Sequence, residues 1–257
     1  MEAKEIFIAL YTIVLKETKR FVRIWIQTVL PAMITTALYF IIFGNLIGSQ
    51  LSAIDGFSFI QYIVPGLILL SVITNSYGNV VSSFYSAKFQ RNVEEMIVSP
   101  MPNVVILLGY VFGGLARGFV VGCAVTLVSM FFTDLHIHSF WVLISVFALT
   151  SLLFSMAGFV NAVYANSFDD ISIIPTFVLT PLTYLGGIFY SISMLPGFWQ
   201  KVSLFNPILY MVSAFRYGFL GVSDIALWQS YLIIIAFVIA LFFFSLWLLN
   251  TGKGIRH

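Results

Sequence analysis

Residues 228–250 read WQSYLIIIAFVIALFFFSLWLLN, without a single Asp, Glu, Lys or Arg. A helix needs roughly 20 consecutive apolar residues to cross a hydrocarbon core of about 30 Å, so this stretch predicts a membrane-spanning helix. Working back along the chain, five further apolar stretches lie at 28–48, 58–84, 104–132, 140–165 and 171–191. The expected fold is therefore an all-α polytopic membrane protein with six transmembrane helices. Composition agrees, with 60 % hydrophobic and only 9 % charged residues, against about a quarter charged in soluble domains. The 257 residues form one transmembrane domain, 1–257, with three conspicuous segments outside the apolar runs: 1–25, 86–102 and 192–227.

Orientation follows from the basic residues. Lys4, Lys16, Lys19, Arg20 and Arg23 precede the first span, Lys88 and Arg91 lie between the second and third, and Lys253 and Arg256 follow the last. The connections at 50–57 and 133–139 hold no Lys or Arg. Lys and Arg concentrate on the cytoplasmic side, so both termini are expected there.

Segment 1–25 lacks the short apolar core and small-residue cleavage site of a signal peptide. It reads as an interfacial amphipathic helix, with Glu5, Thr12, Lys16, Lys19, Arg20 and Arg23 on one side and Phe7, Leu10, Val14, Phe21 and Trp25 on the other. Segment 86–102 is expected as a cytoplasmic amphipathic helix. Arg91 stands at helical spacing from Glu94 and Glu95, Phe89, Val93 and Met96 make an apolar stripe, and Pro100 and Pro102 end it. Composition alone admits two readings of this helix, a headgroup-lying linker or a docking surface for a partner.

Segment 192–227 contains Pro196, Lys201, Asn206, Pro207 and Arg216 and has no run long enough to cross the bilayer. A crossing here would also put Lys253 and Arg256 outside, so an external re-entrant hairpin is expected, buried in protein or facing a water-filled cavity.

Arg117 lies deep in the third span. An intramembrane arginine is a functional-site candidate by default. Three readings stand: a structural ion pair with Glu94, Glu95, Asp169 or Asp170, snorkelling to an interface, or contact with a transported substrate. Gly114, Gly118 and Gly122 recur every fourth residue behind Gly109 and Gly113, which permits close helix packing. Asp169 and Asp170 suit the N-terminus of the fifth span as caps, or supply a second cytoplasmic contact. Pro31, Pro65, Pro175 and Pro181 lie within spans and permit kinks.

Several chemistries are not expected. No Gly-x4-Gly-Lys-Ser/Thr loop occurs, so the chain has no ATPase site of its own. The single Cys123 allows neither a disulfide framework nor a thiolate cluster. His136 and His138 share an external loop with only Asp134 nearby, too little for a metal site. No Gly-x-Ser-x-Gly elbow and no base at membrane depth support hydrolysis. With 27 phenylalanines, any pathway through the protein is expected to be largely apolar and aromatic, suited to amphipathic or lipid-linked cargo.

Arg91-x-x-Glu94-Glu95-Met96-x-Val98-Ser99-Pro100 resembles the coupling segment of type-2 ABC transporter permeases. Asn206-Pro207-x-x-Tyr210, followed by Phe215-Arg216-Tyr217, is similar to that family's signature before the last span. Pro175-Thr176-Phe177, Leu185-Gly186-Gly187-Ile188-Phe189-Tyr190 and Leu195-Pro196-x-Phe198-Trp199 extend the likeness over essentially the whole chain.

The resemblance implies an exporter permease of the bacterial inner membrane, with no enzyme activity of its own. It implies a homodimer or a pair of related chains and two separate ATP-binding subunits, which hold the ATP and magnesium. Membrane lipid is expected as a further partner, and nucleic acid is not. Phe89, Arg91, Glu94, Glu95 and Met96 would couple to the ATPase, and Asn206, Pro207, Tyr210 and Arg216 would belong to an outer gate. The rival reading is a secondary transporter or channel without an ATPase partner. Against it, Arg117 is the single charge read as intramembrane, which leaves a proton relay without carboxylates.

Overall fold

A computed structural model describes residues 2–47, 54 and 56–254. Among them the regular structure is helical. Helix α1 runs Ala3–Arg23, α2 Trp25–Tyr39 with a π-helical continuation Phe40–Ile47, α3 Phe59–Phe89, α4 Asn92–Val98 and α5 Asn103–Ser129. They are followed by α6 Phe140–Tyr164, α7 Asp170–Ile174, a π-helical stretch Pro175–Leu179, α8 Thr180–Tyr184, α9 Gly197–Ser203, α10 Pro207–Leu220 and α11 Leu227–Thr251. Most of the expected outer connection at 50–57, as well as Arg256, lies outside the described residues.

Among the described residues, five helices are long and apolar enough to cross a membrane: Trp25–Gly44, α3, α5, α6 and α11. The stretch expected at 171–191 is helical only from Asp170 to Tyr184, in three five-residue pieces. At 1.5 Å per residue this is about 22 Å, short of a hydrocarbon core of about 30 Å. Pro175 opens the π-helical stretch and Pro181 follows it closely. Thr180 Oγ1 donates to the Pro175 carbonyl at 2.9 Å and satisfies one group there. Pro31 and Pro65, by contrast, sit inside α2 and α3 without interrupting them.

Helix α3 is the axis of the molecule. Two-thirds of its apolar window is buried, against about a fifth for α2 and α11, which lie at the periphery. It packs against both α5 and α6. In lipid there is no hydrophobic drive between apolar helices, so close backbone approach and interhelical hydrogen bonds must hold them. The glycine series of α5 supplies the approach. A Cβ on Gly118 would fall 2.2 Å from Ser76 Oγ and 3.0 Å from Ser151 Oγ, and one on Gly114 2.3 Å from Ser155 Oγ. At that junction Ser76 and Ser151 hydrogen-bond at 2.7 Å. Gly109 and Gly113 serve another neighbour, since a Cβ there would meet Ile13 and Glu17 of α1 at 2.5 Å.

Helix α1 thus differs from a purely interfacial helix. Ile13, Glu17 and Phe21 are buried against the bundle, whereas Phe7, Ile8, Tyr11 and Val22 remain exposed. The buried edge falls between the two faces predicted from the helical wheel. The segment 86–102 is also divided. Residues through Phe89 continue α3, and Arg91, at φ 62, occupies the left-handed region that breaks the helix before α4 starts at Asn92. In 192–227 a short turn of 3-10 helix and the exposed α9 lead into α10, which is buried against α3, α6 and α11.

Candidate functional site

Three polar stations are strung along α3, near Tyr62, Asn75 and Lys88. They are about 20 Å apart at 1.5 Å per residue.

At the Lys88 end, Lys88 Nζ donates to the carbonyls of Val163 and Ala165 at 2.6 and 2.8 Å. These belong to the last turn of α6, whose carbonyls lack intrahelical donors. The lysine is a buried cap. Beyond it, Val93 is buried and Met96 half-buried, so they anchor α4, while Glu94 and Glu95 face outward. Phe89 is 64 % exposed and meets the Phe168 ring at 5.2 Å, which in turn meets Tyr85 at 4.8 Å. Lys88, Arg91, Glu94 and Asn166 line a hollow of about 200 Å³. The α4 segment and the 165–170 turn therefore form one surface.

Asp170 is occupied within that turn. Its carboxylate accepts from the Asn166 and Ser167 amides at 2.9 and 3.1 Å and from Ser167 Oγ at 2.7 Å. Those bonds, the Asn166 amide first, hold the carboxyl below its usual range. Asp169 is exposed beside it. Phe168 was not singled out from the sequence, although its place directly before the two aspartates is a usable signal.

The middle station contains Arg117. Its Nε and Nη2 donate to Asn75 Oδ1 at 3.3 and 3.1 Å, and among the described residues no carboxylate lies within ion-pair distance of it. Of the carboxylates considered from sequence, none pairs with it: Asp170 is held in its own turn, and Glu94, Glu95 and Asp169 are exposed. One turn along α3, Arg20 Nη2 donates to both the carbonyl and Oδ1 of Asn79 at 2.8 Å and pairs with Glu17 at 3.3 Å. Glu17 is fully buried and accepts from Ser83 Oγ at 2.6 Å. Among the described residues the cluster holds two guanidinium groups and one carboxylate. Glu17 escaped the sequence reading because a charge on an amphipathic helix looks like part of a solvated face.

Arg117 opens into a groove of about 340 Å³ between α2 and α3, lined by Thr28, Thr35, Thr36, Ser71, Thr74 and Asn75 among others. Tyr39, Leu70 and Thr74 also line a second hollow of about 190 Å³ between α3 and 175–189, where Thr180 and Thr183 contribute further hydroxyls. The grooved face is thus hydroxyl-rich rather than aromatic throughout. Rings gather at the far end, where Phe189 meets Tyr39 at 5.6 Å and Phe43 at 5.3 Å.

At the Tyr62 end, Arg216 is 1 % exposed. Nη1 donates to Asp224 Oδ2 at 2.8 Å, Nη2 donates to the Gly187 carbonyl at 2.5 Å, and the guanidinium lies 3.9 Å from the Tyr62 ring centre. Tyr62 and Ser191 hydroxyls donate to the same Asp224 carboxylate. Asn206 caps α10, accepting from the Ile208 amide at 3.0 Å, and its Nδ2 donates to the Leu182 carbonyl at 2.6 Å. Pro207 takes the first helical position, where a missing N–H is harmless. Tyr210 donates its hydroxyl to the Leu204 carbonyl at 2.8 Å. Each residue expected at an outer gate thus fastens this end of the molecule.

The histidine pair is not brought to a ligand cluster. The His138 amide donates to the Gly218 carbonyl at 3.0 Å and its ring packs edge-on against Tyr217. No group of three metal-ligating side chains occurs among the described residues.

Residues 8–220 match the ABC-2 type transporter family. The chain is 55 % identical over 251 residues to the inner membrane transport permease YadH of Escherichia coli K12, spanning 97 % of this chain and 98 % of that protein. It is 23 % identical over 197 residues to nodulation protein J of Rhizobium leguminosarum bv. viciae, spanning 76 % of each. With nodulation protein J of Rhizobium meliloti it shares 22 % over 200 residues, 77 % of this chain and 76 % of that one.

Proposed function

The chain belongs to the ABC-2 type transporter family and is a membrane transport permease; from that premise we propose that it is the pathway-forming subunit of an ATP-driven exporter. Two copies, or this chain and a related one, flank the route, and two separate ATPase subunits dock on the cytoplasmic side. Those subunits hold the ATP and magnesium, and the permease hydrolyses nothing. It sits in the bacterial inner membrane with both termini cytoplasmic.

The observation that carries this reading is the surface at the Lys88 end. Exposed Phe89 and Phe168 stand beside outward-facing Glu94 and Glu95, a combination of apolar anchors and rim charges that suits a protein partner. The surface lies at the end of α3, so a displacement of α4 acts directly on the most buried helix of the bundle. Arg91, Met96 and Asp169 belong to the same surface. In this arrangement Asp170–Tyr184 and the turn after it make a sixth, incomplete crossing. The α9–α10 pair re-enters from outside, with Asn206, Pro207, Tyr210 and Arg216 holding the outer gate. Transport then needs the α2–α3 groove to open between protomers.

Reversing both Glu94 and Glu95 to lysine tests this. Co-purification of the ATPase and ATP-dependent transport should both be lost, with membrane insertion unchanged because neither carboxylate is buried. If the two residues merely face lipid headgroups, added lysines strengthen surface binding and both measurements stay normal. Transport that follows an ion gradient and ignores ATP would favour a secondary transporter.

A further inference from the structure

The middle station carries more positive charge than it neutralises. Asn75 and Asn79 stand one turn apart on the same face of α3, each holding a guanidinium. Glu17 is committed to Arg20 and Ser83. Arg117 is left with the oxygen of one neutral amide, an acceptor that does not compensate a cation. A cation at membrane depth is costly unless it is paired or faces a cavity, and Arg117 faces one. Thr35, Thr36, Ser71 and Thr74 supply hydroxyls along the same wall. A planar fork of N–H donors beside several hydroxyls is suited to a tetrahedral oxyanion, and arginine binds phosphate in two-pronged fashion.

We infer that Arg117 is the anion-binding position of this groove and takes the phosphate group of an amphiphile, with the groove hydroxyls hydrogen-bonding the polar part around it. The exposed flank of α2 and its π-helical continuation, where Ile34, Leu38 and Ile41 point away from the bundle, leaves room for an alkyl chain alongside. The phosphate belongs either to the cargo or to a resident membrane phospholipid; both present the same group to Arg117. This deepens the reading of the groove as the transport face and rests on it, but requires no ATPase.

The test uses the purified full-length permease in a neutral maltoside detergent. The probes are dodecyl phosphate, dodecyltrimethylammonium as the cationic counterpart, and phosphatidylglycerol, with binding followed by native mass spectrometry and thermal shift. Dodecyl phosphate should bind the wild type at least about tenfold more tightly than Arg117→Gln, the loss of one charge-assisted contact. Arg117→Lys should fall between, because it keeps the charge and loses the fork. Phosphatidylglycerol that co-purifies with the wild type, resists dodecyl phosphate and disappears in Arg117→Gln identifies a resident lipid. Free exchange of dodecyl phosphate identifies a cargo position.

Equal affinity of wild type and Arg117→Gln, or equal binding of the cationic amphiphile, overturns the inference. Should Arg117→Gln fail to fold, Arg117→Lys and Thr35→Val provide the same comparison. Because no ATPase is present, failure here and failure of the exporter reading are separable.

Discussion

Arg216 and Arg117 are the same residue in two apolar helices, and their surroundings could hardly differ more. Arg216 has a carboxylate at 2.8 Å, a carbonyl at 2.5 Å and an aromatic face at 3.9 Å. Arg117 has one amide oxygen and a groove. A caged guanidinium is committed to the structure, since moving it would leave the Asp224 carboxylate without its counter-charge. A guanidinium with a cavity in front of it retains donors for a ligand. The contrast separates a clasp from a candidate site.

The strongest way to break the comparison is to remove the clasp's carboxylate. Asp224→Asn leaves Arg216 buried without its counter-charge and should destabilise the protein by about 3–5 kcal/mol, the usual consequence of breaking one side of a buried pair. Thermal unfolding in detergent reads this directly. Removing both charges, as Arg216→Met with Asp224→Leu, should destabilise less than Asp224→Asn alone. If the single variant unfolds at the wild-type midpoint, Arg216 is not held as described and the contrast with Arg117 collapses.

Glu17→Gln comes next. It turns Arg20 into a second Arg117, held by the carbonyl and amide oxygens of Asn79 and no carboxylate. The expected destabilisation is about 1.5–3 kcal/mol, because the group lost is charged, buried and hydrogen-bonded to Ser83. The same variant should tighten dodecyl phosphate binding, since the net positive charge of the cluster rises. Binding that weakens instead would mean that Glu17 shapes the site rather than offsets its charge.

Much of this architecture was legible from hydropathy. The apolar runs at 58–84, 104–132, 140–165 and 228–250 correspond to α3, α5, α6 and α11 within a few residues, because a helix surrounded by lipid or apolar neighbours shows its length in composition alone. The 171–191 run was less informative: it is apolar enough, but Pro175, Pro181 and the Gly186-Gly187 pair shorten its helical course, and hydropathy does not count backbone hydrogen bonds. The glycine spacing in α5 announced close packing but not its partners, which prove to be α1 at one end and α3 with α6 at the other.

Charged residues were the hardest to place. Glu17 meets Ser83, 66 positions away, and no local pattern contains that information. Asp224 was more accessible, eight residues after Arg216 in the same mixed segment. An arginine within a short apolar helix demands a nearby carboxylate, and Asp224 is the only acidic residue between Asp170 and the end of the chain. Arg117 was recognised as exceptional because of its depth. Its neutral partner, Asn75, carries no charge to mark it in the sequence.

The smallest expected effect is also the sharpest test of the contrast. Arg117→Gln removes a desolvated cation whose partner among the described residues is a neutral amide, so the loss of hydrogen bonding to Asn75 is offset by relief of an uncompensated charge near Arg20. The two contributions are of similar size, on the order of 1 kcal/mol each, and the net change in stability should be close to zero or slightly favourable. Asn75 keeps a partner in the variant, since the glutamine amide can donate to Oδ1 as the guanidinium did. Thermal unfolding of Arg117→Gln beside Asp224→Asn, in the same detergent and without added anion, therefore should show a large loss for one buried arginine site and almost none for the other. A loss for Arg117→Gln comparable to that of Asp224→Asn, in protein free of co-purified phospholipid, would place Arg117 in the same class as Arg216, a structural cation held within the protein, and the groove would lose its claim to an anion.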